Sequence, residues 1–302
     1  MATIEITYNG IRKLFINKRQ RDAHKGMFGR LLIIAGSKGM AGAAILSAKS
    51  ALRAGVGLVT ISIPDELLPI MQIAVPEATC IGRRTGGAHG DRRSSATASI
   101  SPERLSTFDA IAVGPGLGTS PKAQAVLSYV MGNYNGKLVL DADALNIIAG
   151  TNTTMDADTV ITPHSGEAAR LIGTTATVIN NRREAAAAFL AEKYGCTAVL
   201  KGAGTIVAAT NPTLRLYKNT TGNPGMATGG SGDVLTGVIA AFLAQGMSAQ
   251  TAACAGVYVH GLAGDIVANR IGEEGLIAGD LPLAVAQAIK GLGQNPYPKN
   301  SF

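Results

Sequence analysis

Between Gly222 and Gly237 the chain reads Gly-Asn-Pro-Gly-Met-Ala-Thr-Gly-Gly-Ser-Gly-Asp-Val-Leu-Thr-Gly. Glycines surround one acid, Asp233, and the residues that follow turn apolar in the manner of a helix. Backbone without side chains can bring its N–H groups against a ligand. A helix that starts there adds its own unpaired N–H groups and the positive end of its dipole. Gly230, Ser231 and Gly232 are therefore a candidate phosphate cradle. A carboxylate inside an anion site repels the ligand it faces, so Asp233 points to proton chemistry rather than affinity. It would take the proton of an attacking hydroxyl while amides hold the phosphoryl group in transit. The plainer alternative is a carboxylate favoured by the first turn of a helix.

Other residues carry weaker signals of the same kind. Lys201-Gly202-Ala203-Gly204-Thr205 follows an apolar run, and a lysine there can reach a phosphate as a point charge. It is not a Walker A motif, because the long glycine-rich spacing before the lysine is absent. Pro163-His164-Ser165-Gly166-Glu167 offers His164 for ligand contact; the alternative is helix capping, with Ser165 as the cap and Glu167 on the dipole. One His and one Glu do not complete a zinc set. Gly114-Pro115-Gly116-Leu117-Gly118 and Gly36 to Ala43 are glycine turns whose backbone could hold a nucleotide or sugar, without the full dinucleotide fingerprint. Asp141, Asp143 and Asn146 could bind ligand or cap a helix. His24, His89 and His260 give no geometric handle, and no Ser-His-Asp set can be drawn.

These residues need elements to position them. Strand-length apolar runs lie at 31–35, 56–63, 110–113, 137–140, 159–161 and 198–200. Helical patterns fall at 43–53, 121–132, 143–149, 166–172 and 181–194. A hairpin is expected from 205–209 and 213–217 through Asn211-Pro212. Helices are expected near 233–245, 249–269 and 280–290. Continuous apolar strands alternating with helices predict a mostly parallel sheet covered on both faces. Ligands in such sheets bind beyond the carboxyl ends of the strands, which is where the Gly, Asp, His and Lys residues cluster. Residues 83–99 are polar and glycine-rich and read as a surface loop. No shift in composition marks a boundary, so residues 1–302 are read as one domain.

Composition narrows the functional classes. The chain has 302 residues, a net charge of +7, and no Trp. Its Lys and Arg are scattered, with short groups at Lys18–Arg21, Arg83–Arg84, Arg92–Arg93 and Arg182–Arg183. Few aromatics and no basic stripe argue against nucleic acid; the positive balance suits polyanionic small molecules. Cys80, Cys196 and Cys254 form no metal or disulfide spacing, so a cytoplasmic protein with reduced thiols is expected. No apolar core marks a signal peptide near Met1, and no stretch reads as a membrane span.

Taken together, the sequence closely resembles the NAD(P)H-hydrate dehydratase family, the YjeF C-terminal type within the ribokinase-like superfamily. The resemblance is carried by His24 to Ala43, Gly114–Gly118, Leu140 to Leu145, Thr162–Glu167, Lys201–Thr205 and Gly222–Gly237, which span most of the chain. It implies a three-layer α/β/α ribokinase-like fold. It implies repair of the S form of hydrated NADH or NADPH: ADP or ATP phosphorylates the ring hydroxyl, and loss of phosphate restores the dihydronicotinamide. By position, Lys201, Gly202, Ala203, Gly204, Thr205, Gly230, Ser231 and Gly232 would hold the nucleotide. Ala43, Gly116, Gly118, His164 and Asp233 would line the hydrate site. Mg2+ would accompany the phosphates, with Glu167 helping to organise it. The family further implies a homo-oligomer, such as a tetramer, and a separate protein to interconvert the R and S hydrates, an activity that many relatives carry in an epimerase domain. A kinase of the same superfamily, acting on a small vitamin-precursor alcohol, would share the glycine loop and Asp233.

Overall fold

The computed structural model describes residues 2–16, 19–84 and 100–293. Its strands are β1 (Thr3–Glu5), β2 (Arg30–Ile34), β3 (Leu58–Pro64), β4 (Thr79–Arg83), β5 (Ala110–Val113), β6 (Lys137–Leu140), β7 (Thr159–Ile161), β8 (Thr197–Leu200), β9 (Ile206–Ala209) and β10 (Arg215–Lys218). The helices are α1 (Tyr8–Arg12), α2 (Ala41–Arg53), α3 (Leu68–Ala74), α4 (Pro102–Leu105), α5 (Pro121–Asn133), α6 (Asp143–Ile148), α7 (Ser165–Ile172), α8 (Ala176–Asn181), α9 (Arg183–Tyr194), α10 (Ser231–Ala244), α11 (Ala249–Ile271) and α12 (Leu281–Gly293).

All strands join one ten-stranded sheet in the order β1-β10-β9-β8-β7-β6-β5-β2-β3-β4. Pairings are parallel except those β9 makes with β8 and β10. The central strands are largely apolar on both sides because both faces are covered. Along β2, Leu31 and Ile33 face one core with α2, α10, α11 and α12, while Leu32 and Ile34 face a second core with α5, α6, α7 and α9. Alternation with period two thus splits one strand between two hydrophobic layers. The result is the three-layer α/β/α arrangement expected from the sequence.

Strand order reverses between β2 and β5. Chains that leave neighbouring strands in opposite directions open a crevice at their carboxyl ends, where ligands bind in such sheets. Here Gly36 N donates to Pro115 O at 2.8 Å and Gly114 N to Ile34 O at 3.1 Å, so the two glycine turns are laced together at that crevice.

The structure departs from the sequence reading in three places. Arg83 does not begin a surface loop: it ends β4, is buried, and its Nη2 donates to Ala35 O at 2.9 Å and Gly36 O at 2.7 Å. The loop proper, 85–99, lies outside the described residues. The helical stretch 181–194 is broken at Arg182, which ends α8 and precedes α9. Finally, α11 is long and apolar enough to cross a membrane by length and composition, although the sequence reading found no such stretch. Its apolar surface is spent on the core, since 67% of that window is buried.

Candidate active site

Lys201 follows β8 directly, and its amide donates to Pro163 O at 2.8 Å. Its ammonium does not extend into water. Nζ lies 2.6 Å from Asp141 Oδ1 and 3.7 Å from Glu167 Oε2, and the side chain is 17% exposed. Gly202 and Ala203 are exposed, and Thr205 Oγ1 closes the turn by donating to Gly202 O at 2.9 Å. Arg183 backs this turn: its Nη2 donates to Leu200 O at 2.9 Å and Lys201 O at 3.3 Å. That arginine belongs to one of the short basic groups, and its place here was invisible in the sequence.

Helix α10 begins opposite Lys201. Gly230 is its N-cap in the left-handed region, at φ 93°, where an L side chain would be strained. A Cβ at Gly232 would lie 3.4 Å from Lys201 Nζ, so the ammonium lies beside the first turn of the helix. The glycines of 222–237 do not share one task. Gly222 N and Asn223 Nδ2 both donate to Asp265 of α11 at 2.9 Å, anchoring the start of the loop. A Cβ at Gly237 would come within 2.1 Å of Ser47 O, so this glycine lets α10 press against α2. The stretch Gly229–Asp233 is left to face a ligand as an amide cradle, in which Ser231 N makes one long bond to Thr228 O at 3.3 Å.

Asp233 sits in the first turn of α10, and its backbone carbonyl accepts from Ser47 Oγ at 2.9 Å. Burial raises its carboxyl pKa to about 7; the Asp141 carboxylate adds to the rise, Lys201 opposes it, and Asp143 and Glu167 contribute further. The carboxyl is therefore poised to exchange a proton near neutrality. For Lys201, burial alone would lower the pKa, but the charges of Asp141 and Glu167 hold it above its ordinary value.

His164 and Glu167 form a reciprocal cap on α7. His164 Nδ1 accepts from Gly166 N at 2.9 Å, and Glu167 Oε2 accepts from His164 N at 2.8 Å. The cap is thus His164 and not Ser165. The imidazole remains 54% exposed, with Nε2 3.4 Å from Glu167 Oε1. Capping leaves it free to meet a ligand as well.

On the other side of the site, Ala43 lies in the first turn of α2 and Gly116 and Gly118 in the turn after β5. Gly116 is buried: a Cβ there would meet Met40 Cβ at 2.9 Å and Ala43 Cβ at 3.1 Å. Gly118 is more open, with its amide donating to Asp143 Oδ2 at 2.8 Å. These residues wall the crevice between β2 and β5.

His260, for which the sequence gives no geometric handle, adjoins the cradle. From α11 its Nε2 lies 3.3 Å from Ser231 Oγ. Burial lowers its pKa to about 4, so it is a neutral partner for Ser231. Cys196 and Cys254 are buried, as core residues should be.

Among the described residues no group of three His, Cys, Asp or Glu side chains is arranged to hold a metal. Both oxygens of Glu167 already have protein neighbours. Such a donor set suits Mg2+ that arrives on phosphates and keeps most of its waters, meeting the protein through a single carboxylate.

Residues 31–285 match the family model for NAD(P)H-hydrate dehydratase. A Neisseria meningitidis protein named ADP-dependent (S)-NAD(P)H-hydrate dehydratase is 39% identical over 87% of this chain and 86% of its own length. The Moorella thermoacetica bifunctional NAD(P)H-hydrate repair enzyme Nnr is 40% identical over 87% of this chain but 50% of itself. The chain spans about half the length of the first curated relatives it matches. Among solved structures, Bacillus subtilis ADP/ATP-dependent NAD(P)H-hydrate dehydratase, co-crystallised with ATP/Mg2+, superposes with a TM-score of 0.83 at 29% identity, covering 97% of this chain and 99% of that one. Thermotoga maritima ribokinase, at 14% identity and a TM-score of 0.53, shares the fold alone.

Proposed function

The chain belongs to the NAD(P)H-hydrate dehydratase family, and on that premise we propose that it restores NADH or NADPH from the S form of their hydrates at the expense of ADP or ATP. The observation that carries this reading is Asp233: a carboxyl with a pKa of about 7, set in the first turn of α10 beside an amide cradle and a buried lysine.

The chemistry follows from those positions. The hydrate lies against Ala43, Gly116, Gly118 and His164, with its ring hydroxyl toward Asp233. The nucleotide lies along Lys201–Thr205, with its terminal phosphoryl at the amides of Gly230, Ser231 and Gly232. Asp233 accepts the hydroxyl proton as the oxygen attacks phosphorus, and the nucleotide departs one phosphoryl shorter. Lys201 and the amides hold the charge that develops on the transferring group. The carbon–oxygen bond then breaks with phosphate as leaving group, and the adjacent ring carbon loses a proton to restore the double bond. Hydroxide leaves far less readily than phosphate, which is the physical reason for consuming a nucleotide in a dehydration. Glu167 would help hold Mg2+ arriving with the phosphates, and the ion would supply charge neutralisation there.

A separate protein would interconvert the R and S hydrates, and the three free thiols support a reducing, cytoplasmic setting. Purified protein mixed with hydrated NADH, Mg2+ and either ADP or ATP tests the reading. Recovery of dihydronicotinamide absorbance identifies both the reaction and the preferred nucleotide. Accumulation of a stable phosphorylated hydrate, with no absorbance recovered, would show a kinase instead.

A further inference from the structure

The turn after β6 holds features that the proposed reaction has not used. Ala142 adopts φ 49° and ψ −114°, the one positive φ outside glycine among the described residues. L residues avoid this region, and such strain persists where the surroundings over-determine it, typically at functional sites. The two aspartates that flank Ala142 reach opposite halves of the site. Asp141 is 1% exposed; its Oδ1 accepts from Lys201 Nζ at 2.6 Å and its Oδ2 from Thr236 Oγ1 at 2.6 Å. Asp143 Oδ2 accepts from Gly118 N at 2.8 Å, and its Oδ1 from Asn146 Nδ2 at 3.4 Å.

We propose that Asp141-Ala142-Asp143 is a positioning clamp, in which Asp141 fixes the Lys201 ammonium and α10 relative to each other while Asp143 fixes the Gly118 turn of the opposite wall. This rests on the division into nucleotide and hydrate halves made above. A lysine stem is flexible and its ammonium strongly hydrated, so an unheld Lys201 would swing toward water or Glu167. Asp141 has no such freedom, being buried with both oxygens bonded. Thr236 lies one turn beyond Asp233 on α10, and its hydroxyl also reaches Gly232 O at 3.2 Å. One carboxylate therefore sets the orientation of the helix that bears Asp233 and the place of the charge beside its first turn. Asp141 also cancels the charge of Lys201, so the pair contributes geometry more than net attraction for phosphate.

That last point separates the clamp from a structural role. Replacing Asp141 by Asn keeps the shape, loosens Lys201 and uncovers its charge. Asp141→Asn is expected to lower kcat about tenfold or more, while calorimetric binding of ADP with Mg2+ is unchanged or tighter. Asp143→Ala is expected to raise the KM of the hydrate about tenfold with ADP affinity unchanged. On a Lys201→Met background, Asp141→Asn should cost little further in kcat, because the ammonium it held is gone and the Asn oxygen still accepts from Thr236. Thr236→Val keeps both charges and should lower kcat about fivefold with ADP affinity retained; it decides the matter if Asp141→Asn does not fold. A kcat within about twofold of wild type in the folded Asp141 and Thr236 variants overturns the clamp. So does a loss of ADP affinity in step with kcat, or additive losses in the double variant. If the wild-type protein restores no dihydronicotinamide, the proposed function fails by itself and calorimetry still judges the clamp. Weakened ADP binding in Lys201→Met but not in Asp141→Asn supports it, and equal weakening in both overturns it.

Discussion

Asp233 ties chemistry to pH through one proton. As the base it must be ionised, so kcat/KM should rise with pH and level off above the folded value of about 7. A pH profile flat from 5 to 9 would remove it from that role. Asp233→Asn should lower turnover by about a thousandfold, within the usual range for a lost general base, and leave ADP binding largely intact. Its effect on stability has a definite sign. The folded pKa is raised above the unfolded value near 3.8, so the folded state binds the proton more tightly. That advantage is fully present below the unfolded pKa and is lost as pH rises through about 7. Asp233→Asn, which carries no charge at any pH, should therefore gain on wild type as pH rises, by on the order of 4 kcal/mol at pH 8 compared with pH 4. Thermal melts of both proteins across that range check it; a constant difference in Tm would mean that Asp233 is not perturbed by folding.

At the scale of elements, the walls of the site depend on how strand ends are tied. Arg83 reaches from β4 to the carbonyls of Ala35 and Gly36, where the Gly36–Ala43 turn begins. Arg83→Met leaves those buried acceptors without donors, at a cost of about 1–3 kcal/mol. The turn that packs on Gly116 loosens with them, so the hydrate KM should rise while ADP affinity holds; unchanged KM would show that the turn keeps its shape alone. Ala142→Gly runs against habit. Glycine in place of Ala ordinarily destabilises by about 0.5–1 kcal/mol, but relief of strain worth about 1–3 kcal/mol should hold or raise Tm here. A fall of several degrees would mean that Ala142 is comfortable as it stands. Such ties also mark the boundary of what the sequence discloses. The runs at 110–113, 137–140 and 159–161 coincide with β5, β6 and β7, because buried parallel strands are continuous apolar stretches cut off by Gly, Asp or Pro. The edge strands β1 and β4 escaped notice, since their residues are mixed in polarity and partly exposed. Lys201, His164, Glu167 and Asp233 could be picked out because each stands at a strand or helix end. The bonds from Asp141 to Lys201 and Thr236, and from His260 to Ser231, span 60, 95 and 29 residues. Strand order brings Asp141 to Lys201, and the packing of α10 on the sheet and on α11 brings Thr236 and His260 to their partners.

The whole molecule carries a net charge of +7, yet its site is locally acidic. Asp141, Asp143 and Glu167 all act on Asp233 there, and Lys201 is the cation that opposes them. A bare nucleotide diphosphate entering such a site meets carboxylates at close range, and the distant surface charge is screened beyond about 10 Å at 0.1 M salt. The amide cradle and Lys201 offset only part of that repulsion, so the polyphosphate should bind well only when it brings its own cation. Ligand that binds the folded state alone stabilises it by about 2.7 kcal/mol at a hundredfold excess over Kd, which for a chain of this size raises Tm by several degrees. Melting in ADP with Mg2+ should show that rise, and adding a chelator at the same ADP concentration should abolish most of it. Salt discriminates between local and global charge: raising ionic strength at constant Mg2+ should reduce the shift only modestly, because the opposing charges are buried. An equal shift with and without Mg2+ would mean that the cradle and Lys201 suffice, and that the carboxylates are neutralised within the protein itself.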